Sequence, residues 1–261
     1  MFINLIKNEI KFLIASKYFL IGPVFFFISV EALLSFSFNI NQALLTITSL
    51  SLYMLPLITL IIGTNGFYSN KDYISLLISQ PLSRNEIYLS KICAYIVIIS
   101  TFYLLGILPS FIIRIDTYSD IISGISYMVL SSIALISFFS CLSVMIGSII
   151  NNKLHGILAV IIIWIFYAFV FDFILILILI YFKDYEIQSQ ILTLTFLNPI
   201  SLARIQILFY MDNPLILGFS GSIFRSFFDS STSIILCFIG NTLWTILITL
   251  IGLQNFKKKD F

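Results

Sequence analysis

Six stretches of this chain stay apolar for about 20 residues or more, the length a helix needs to cross the hydrocarbon core of a bilayer. They cover residues 18–38, 42–67, 92–113, 121–150, 157–182 and 231–253. The fourth and fifth are long enough to tilt or to extend past the bilayer. Only 10% of the residues are charged, where a soluble domain carries about a quarter. Lipid is therefore the solvent that this surface requires. The 27 Phe and 13 Tyr suit helices with lipid-facing sides and rings at the interface. A net charge of +2 gives no footprint for nucleic acid. The expected fold is all-α integral membrane, one domain over residues 1–261, with six transmembrane helices.

The lysines and arginines orient such a bundle, because basic residues are retained on the cytoplasmic side. With the N-terminus inside, the inner segments hold Lys7, Lys11, Lys17, Lys71, Arg84, Lys91, Lys153, Lys257, Lys258 and Lys259. The outer segments hold only Arg114, Lys183, Arg204 and Arg225. Six spans then place both termini in the cytoplasm, in a multi-pass protein of the cell membrane. Residues 1–16 do not read as a cleavable signal, since Lys7, Glu9 and Lys11 interrupt them. Lys7, Asn8 and Lys11 share one helical face amid apolar neighbours. That pattern suits a helix lying in the interface plane, and an extension of the first span is the other reading.

Two connections are too long to be turns. Residues 68–91 lie on the inner side and residues 183–230 on the outer side. In the outer segment, 191–197 and 205–210 are apolar but too short to cross. They are expected to dip into the outer leaflet as short re-entrant helices, separated by Asn198-Pro199 and by Asp212-Asn213-Pro214. Gly218 to Gly221 is expected to break the second. A small folded external cap is the alternative.

In the inner segment, Ile74, Leu77 and Ile78 share a helical face with Leu76 beside it. Pro81 stops that helix. Ser83, with Glu86 three residues on, forms the pattern of a capping box that starts the next. An apolar face on a cytoplasmic loop wants a protein partner, or else lies on the membrane.

The run from Leu76 to Ile87, reading LLISQPLSRNEI and followed by Lys91, resembles the signature of type-2 ABC exporter permeases. Resemblance in layout covers nearly the whole chain, and the specific motif covers about 20 residues. It implies an N-terminal interfacial elbow helix at 1–16, a coupling helix within 68–91, and re-entrant helices between spans five and six. It also implies that Asp72, Ile74, Leu76, Leu77, Ile78, Pro81, Arg84 and Glu86 contact a cytoplasmic ABC ATPase. ATP and magnesium would sit on that partner, with no cofactor on this chain. Two permeases and two ATPases would assemble, as a homodimer or heterodimer of permeases with the pathway between them. The chain departs from the family upstream, where it has Asn70 and then Asp72-Tyr73 in place of an acid and a Gly-Thr pair. A narrower likeness, from Leu197 to Ile205 with Asp212 and Gly218, is to permeases associated with nitrous-oxide reductase maturation. It would imply an extracytoplasmic partner protein.

The sequence contains no GxxxxGK(S/T) phosphate loop. The run from Asn151 to Gly156 lacks the spacing and glycine cradle of a phosphate loop. Cys93, Cys141 and Cys237 are isolated in apolar stretches, and His155 is the sole histidine, so no metal cluster is expected. Two acids interrupt apolar runs, Glu31 and Asp172. A charge at mid-bilayer costs about 2.5 kcal/mol or more, so both should face protein or water, or lie near the outer interface. With Asn198 and Arg204 they are candidates for a pathway or dimer seam, and Arg204 or Arg225 is a candidate partner for the acids. The small residues of span four, among them Ser131, Ser132, Ser140, Ser143 and Gly147, read as close helix packing. The rival to an ATP-driven permease is a secondary transporter working without an ATPase. Such a protein commonly shows repeated halves, which this chain does not display.

Overall fold

The computed structural model describes residues 2–15, 18–37, 40–114, 122–182, 188–210 and 230–259. All regular structure among them is helical. The elements are α1 (Phe2–Ile14), α2 (Tyr18–Phe36), α3 (Ile40–Ser69), α4 (Lys71–Ile78), α5 (Arg84–Ile112), α6 (Ile122–Ile149), α7 (Lys153–Ile165), α8 (Phe171–Tyr181), α9 (Gln188–Thr195), α10 (Pro199–Tyr210) and α11 (Ser230–Lys258). A π turn at Phe166–Val170 joins α7 to α8, so the two form one span. Five helices are long and apolar enough to cross a membrane: α3, α5, α6, α7–α8 and α11. The helix α2 carries a shorter apolar run, Ile21–Phe36. The protein is thus a multi-pass helical membrane protein.

Helix starts follow local chemistry. The helix that carries the span expected from residue 92 begins at Arg84, as the capping-box pattern implied, because the Ser83 hydroxyl accepts from the Glu86 amide while the Glu86 carboxylate accepts from the Ser83 amide. That reciprocal cap satisfies two amides otherwise left free at a helix start. The Asn152 side chain caps α7 with a single bond, accepting from Leu154 N at 2.9 Å.

The core is built around α6, the most buried span, which packs on α3, α5, α10 and α11. Its small residues permit close contact, as expected. Ser131, Ser132, Ser140, Ser143 and Ser148 are all buried. At the α3–α6 crossing, a Cβ added to Gly63 would fall 2.7 Å from the Ser143 Cβ. No side chain fits at both positions, so glycine sets the helix separation. Higher up, the Tyr103 hydroxyl joins three helices, lying 3.1 Å from Ser51 Oγ on α3 and 2.8 Å from Ser132 Oγ on α6.

The α9–α10 hairpin is inserted into the bundle. Its turn contacts Trp244, whose Nε1 donates to the Phe196 carbonyl at 2.8 Å. Trp244 lies 14 residues from either end of α11, about 21 Å at 1.5 Å per residue. Ile200, Leu202, Ala203, Ile205 and Ile207 of α10 are buried against α11, α6 and α3. The hairpin is therefore packed within the bundle and does not stand clear of it as a cap. The break expected at 212–214, the glycines at 218–221 and Arg225 lie outside the described residues.

Candidate functional site

The lysine-rich segments meet at one end of the bundle. The Tyr68 hydroxyl donates to the Ile150 carbonyl at 2.8 Å, tying α3 to the α6–α7 turn. Arg84 Nη1 donates to the carbonyls of Lys257 at 2.6 Å and Lys259 at 2.8 Å, closing the C-terminal end of α11 with a positive charge. Lys259 Nζ donates to the Ser148 carbonyl. Burial, and next the nearby charge of Lys71, hold the Lys259 ammonium below the usual lysine range.

The helix α4 projects from this end between α3 and α5. Ile74 and Leu77 were expected to form its outward apolar face. They are instead 0% and 5% exposed, because they are the residues that seat α4 on the chain. A helix of eight residues cannot hold itself together in water and needs such an anchor. The surface it offers outward is Asp72, Ser75, Leu76, Ser79 and Gln80, continuing to Pro81. Leu76 is 63% exposed. Ile78 is half-buried. Arg84 and Glu86 are also half-buried, and each is already engaged, the first with α11 and the second in the capping box.

Beneath α4 lies a group that sequence reasoning missed. Lys91 Nζ of α5 is 2.7 Å from Glu9 Oε1 of α1, and Asn70 Nδ2, between α3 and α4, donates to Glu9 Oε2 at 3.1 Å. The three side chains are 0%, 2% and 6% exposed. The Lys91 ammonium also lies 6.0 Å from the centre of the Phe67 ring. Each ionised group is paired and each carboxylate oxygen accepts, the condition under which a buried pair is tolerable. Glu9 stands four residues from Leu5 and four from Leu13, the two apolar residues buried on the same face. That spacing was the available signal, since one acid in a row of buried positions calls for a buried partner.

At the other end, the acids inside apolar runs both have arginine partners. Glu31 of α2 takes a two-pronged bond from Arg114, at 2.8 and 2.7 Å. Asp172 of α8 pairs with Arg204 of α10 at 2.8 Å, and accepts from Ser201 Oγ at 3.2 Å. Of the partners expected for the acids, Arg204 is found on Asp172. Glu31 is held by Arg114, at the end of α5. Arg204 Nη2 also donates to the Tyr53 hydroxyl at 3.0 Å. Tyr53 in turn stacks on Phe169, with ring centres 5.7 Å apart.

Asn198 lies at the hairpin turn and is 0% exposed. Its Oδ1 accepts from Ile200 N at 3.0 Å and starts α10, with Pro199 at the first helical position. Its Nδ2 donates to the Tyr167 carbonyl at 2.9 Å, inside the π turn. A π turn disturbs the regular ladder, and within lipid the affected carbonyls need another donor. Asn198 supplies one. Among the described residues, no three His, Cys, Asp or Glu side chains gather as ligands to a metal would.

The fold and this geometry define a multi-pass helical membrane domain with a short helix exposed at its lysine-rich end. The chain belongs to the ABC-2 family of transporter proteins, which it matches over residues 3–261. No curated protein matches it.

Proposed function

We propose that this chain is the membrane-spanning permease of an ATP-driven exporter, and that α4 is the element through which a separate cytoplasmic ATPase moves it. Family membership supports an ABC permease role. The observation that carries the coupling is the combination of an outward edge, Asp72, Leu76 and Pro81, with a buried ion pair beneath it. The lysine-rich end is cytoplasmic on the basic-residue rule. The helix α1 is the elbow, lying along that interface with Ile3 and Phe12 exposed to lipid.

Closure of two ATPases on ATP and magnesium displaces α4. Because Asn70, Glu9 and Lys91 are joined, α4 cannot shift without carrying α1 and the start of α5 with it. The α5 helix packs on α2, so the movement reaches span one. Two permeases assemble side by side, and their pathway opens outward where spans one, two and five meet. Glu31 and Asp172, with their arginines, belong to the outer end of that region. The sixth span is α2.

The test uses two variants one residue apart. Leu76→Asp should abolish co-purification of an ATP-hydrolysing partner and leave thermal unfolding unchanged. Leu77→Asp should lower the unfolding temperature, because its site is buried. If the ATPase still co-purifies with Leu76→Asp, α4 is not the docking element. A chain that transports after reconstitution alone, without ATP, is a secondary transporter.

A further inference from the structure

The exposed sides of α2 and α7–α8 are mostly apolar. On α2 they show Ile21, Val24, Phe25 and Ile28, and on α7–α8 they show Ile162, Phe169, Phe173 and Ile176. The first half of α3 is different. Gln42, Thr46 and Ser49 are exposed and Tyr53 is half-exposed, at steps of four, three and four residues, which is one helical face. Beside that face is a cleft of about 210 Å³ between α3 and α10, lined by Thr48, Ser49, Tyr53 and Arg204 with Leu52 and Ile207 as apolar walls.

Two polar groups at its wall have hydrogen-bonding capacity to spare. Thr48 is 5% exposed and its hydroxyl has no hydrogen-bond partner. A buried hydroxyl left unpaired is destabilising unless something visits it. Arg204 carries five N–H donors in a fixed fork, of which Asp172 takes one and Tyr53 another. Asp172 is not among the residues lining the cleft, so the cleft meets the cationic side of the pair. Tyr53 and Ser49 add hydroxyls. The volume is below that of a pocket for a drug-sized ligand, but it takes a headgroup. An attached chain would leave over the exposed Phe169 ring, which stacks on Tyr53 at the edge of the cleft.

We propose that the α3–α10 cleft, built from Thr48, Tyr53 and Arg204, binds the anionic headgroup of an amphiphile, a phosphate or carboxylate on an acyl or alkyl chain. The arginine fork matches such an anion in two-pronged geometry. The Asp172 pair keeps the guanidinium in place when the site is empty. On the exporter reading, this is where an acidic amphiphile is held in the outer half of the bundle. The binding itself requires neither ATP nor an ATPase.

Native mass spectrometry of the full chain in neutral detergent tests this, with dodecyl phosphate, phosphatidylglycerol and phosphatidylcholine as probes. Dodecyl phosphate should bind, and phosphatidylcholine should not. Phosphatidylglycerol binding as well identifies the lipid headgroup as a ligand, whereas its failure to bind restricts the site to single-chain acids. Arg204→Gln should weaken dodecyl phosphate by about tenfold or more, the worth of a charged hydrogen bond. Thr48→Val and Tyr53→Phe keep every charge, and so test the site even if Arg204→Gln does not fold. Each should weaken binding about fivefold. Arg114→Gln, at the other outer ion pair, should change nothing. Equal binding of the neutral lipid, unchanged affinity in Thr48→Val and Tyr53→Phe, or an equal loss in Arg114→Gln overturns the proposal. None of these results bears on ATPase docking, and the Leu76→Asp result does not bear on the cleft.

Discussion

Lys91 Nζ lies 2.7 Å from Glu9 Oε1, joining the first helix of the chain to the start of α5 across 82 residues of sequence. Both side chains are cut off from solvent. Removing one partner leaves an uncompensated buried charge, so Glu9→Gln or Lys91→Met alone should destabilise the protein by about 3–5 kcal/mol. Replacing both, as Glu9→Leu with Lys91→Met, should recover most of that loss. Thermal unfolding in detergent measures the stability. ATP turnover with a bound partner measures coupling, which should stay low in the apolar pair, because Asn70 then has no carboxylate to hold α4 to α1.

Arg84 tests whether the last helix is clasped. It donates to two carbonyls at the end of α11, and a methionine at position 84 donates to none. Arg84→Met should fray the final turn and expose Lys257 to Lys259 to trypsin, with cleavage there faster than in the parent. Bulk unfolding should shift by about 1–3 kcal/mol at most, the cost of a lost charged hydrogen bond.

The α3–α6 crossing makes a compensation experiment possible. Gly63→Ala places a methyl group against Ser143, and overpacking of this kind costs about 1–3 kcal/mol. Ser143→Gly removes the obstruction. The double variant should therefore be more stable than Gly63→Ala alone, by thermal unfolding. Independent, additive losses would show that the two backbones are not held at this separation.

Asn198 should distinguish donor from acceptor. Asn198→Ala loses both the α10 cap and the bond to the Tyr167 carbonyl, costing about 1–3 kcal/mol. Asn198→Asp keeps an oxygen for Ile200 N but turns a carboxylate toward a carbonyl in a dry setting. It should be the worse of the two, measured as unfolding temperature at neutral pH. The reverse order would mean that the Tyr167 carbonyl does not depend on this amide.

Much of this arrangement was legible in the chain. The capping box was readable from Ser83 and Glu86, and the hairpin turn from Asn198-Pro199, because both patterns act through their nearest backbone amides. The choice of face on α4 was not. Ile74 and Leu77 are apolar whether they point home or outward, and periodicity defines a stripe without saying what covers it. The partner of Glu31 lies 83 residues away, and no local pattern connects it to Arg114. The π turn was equally hidden. Its sequence, Phe166 to Val170, is ordinary apolar span, and nothing in it calls for a wider coil.

That coil makes α8 sensitive to residue number as well as residue type. Each helical residue advances the side chains by about 100°. Deleting one of the apolar residues 168–170 would restore even winding without removing a polar side chain. It would also swing Asp172 about a third of a circle away from Arg204, and abolish the wide turn whose Tyr167 carbonyl accepts from Asn198. A change that looks silent in composition would thus misalign two contacts at once.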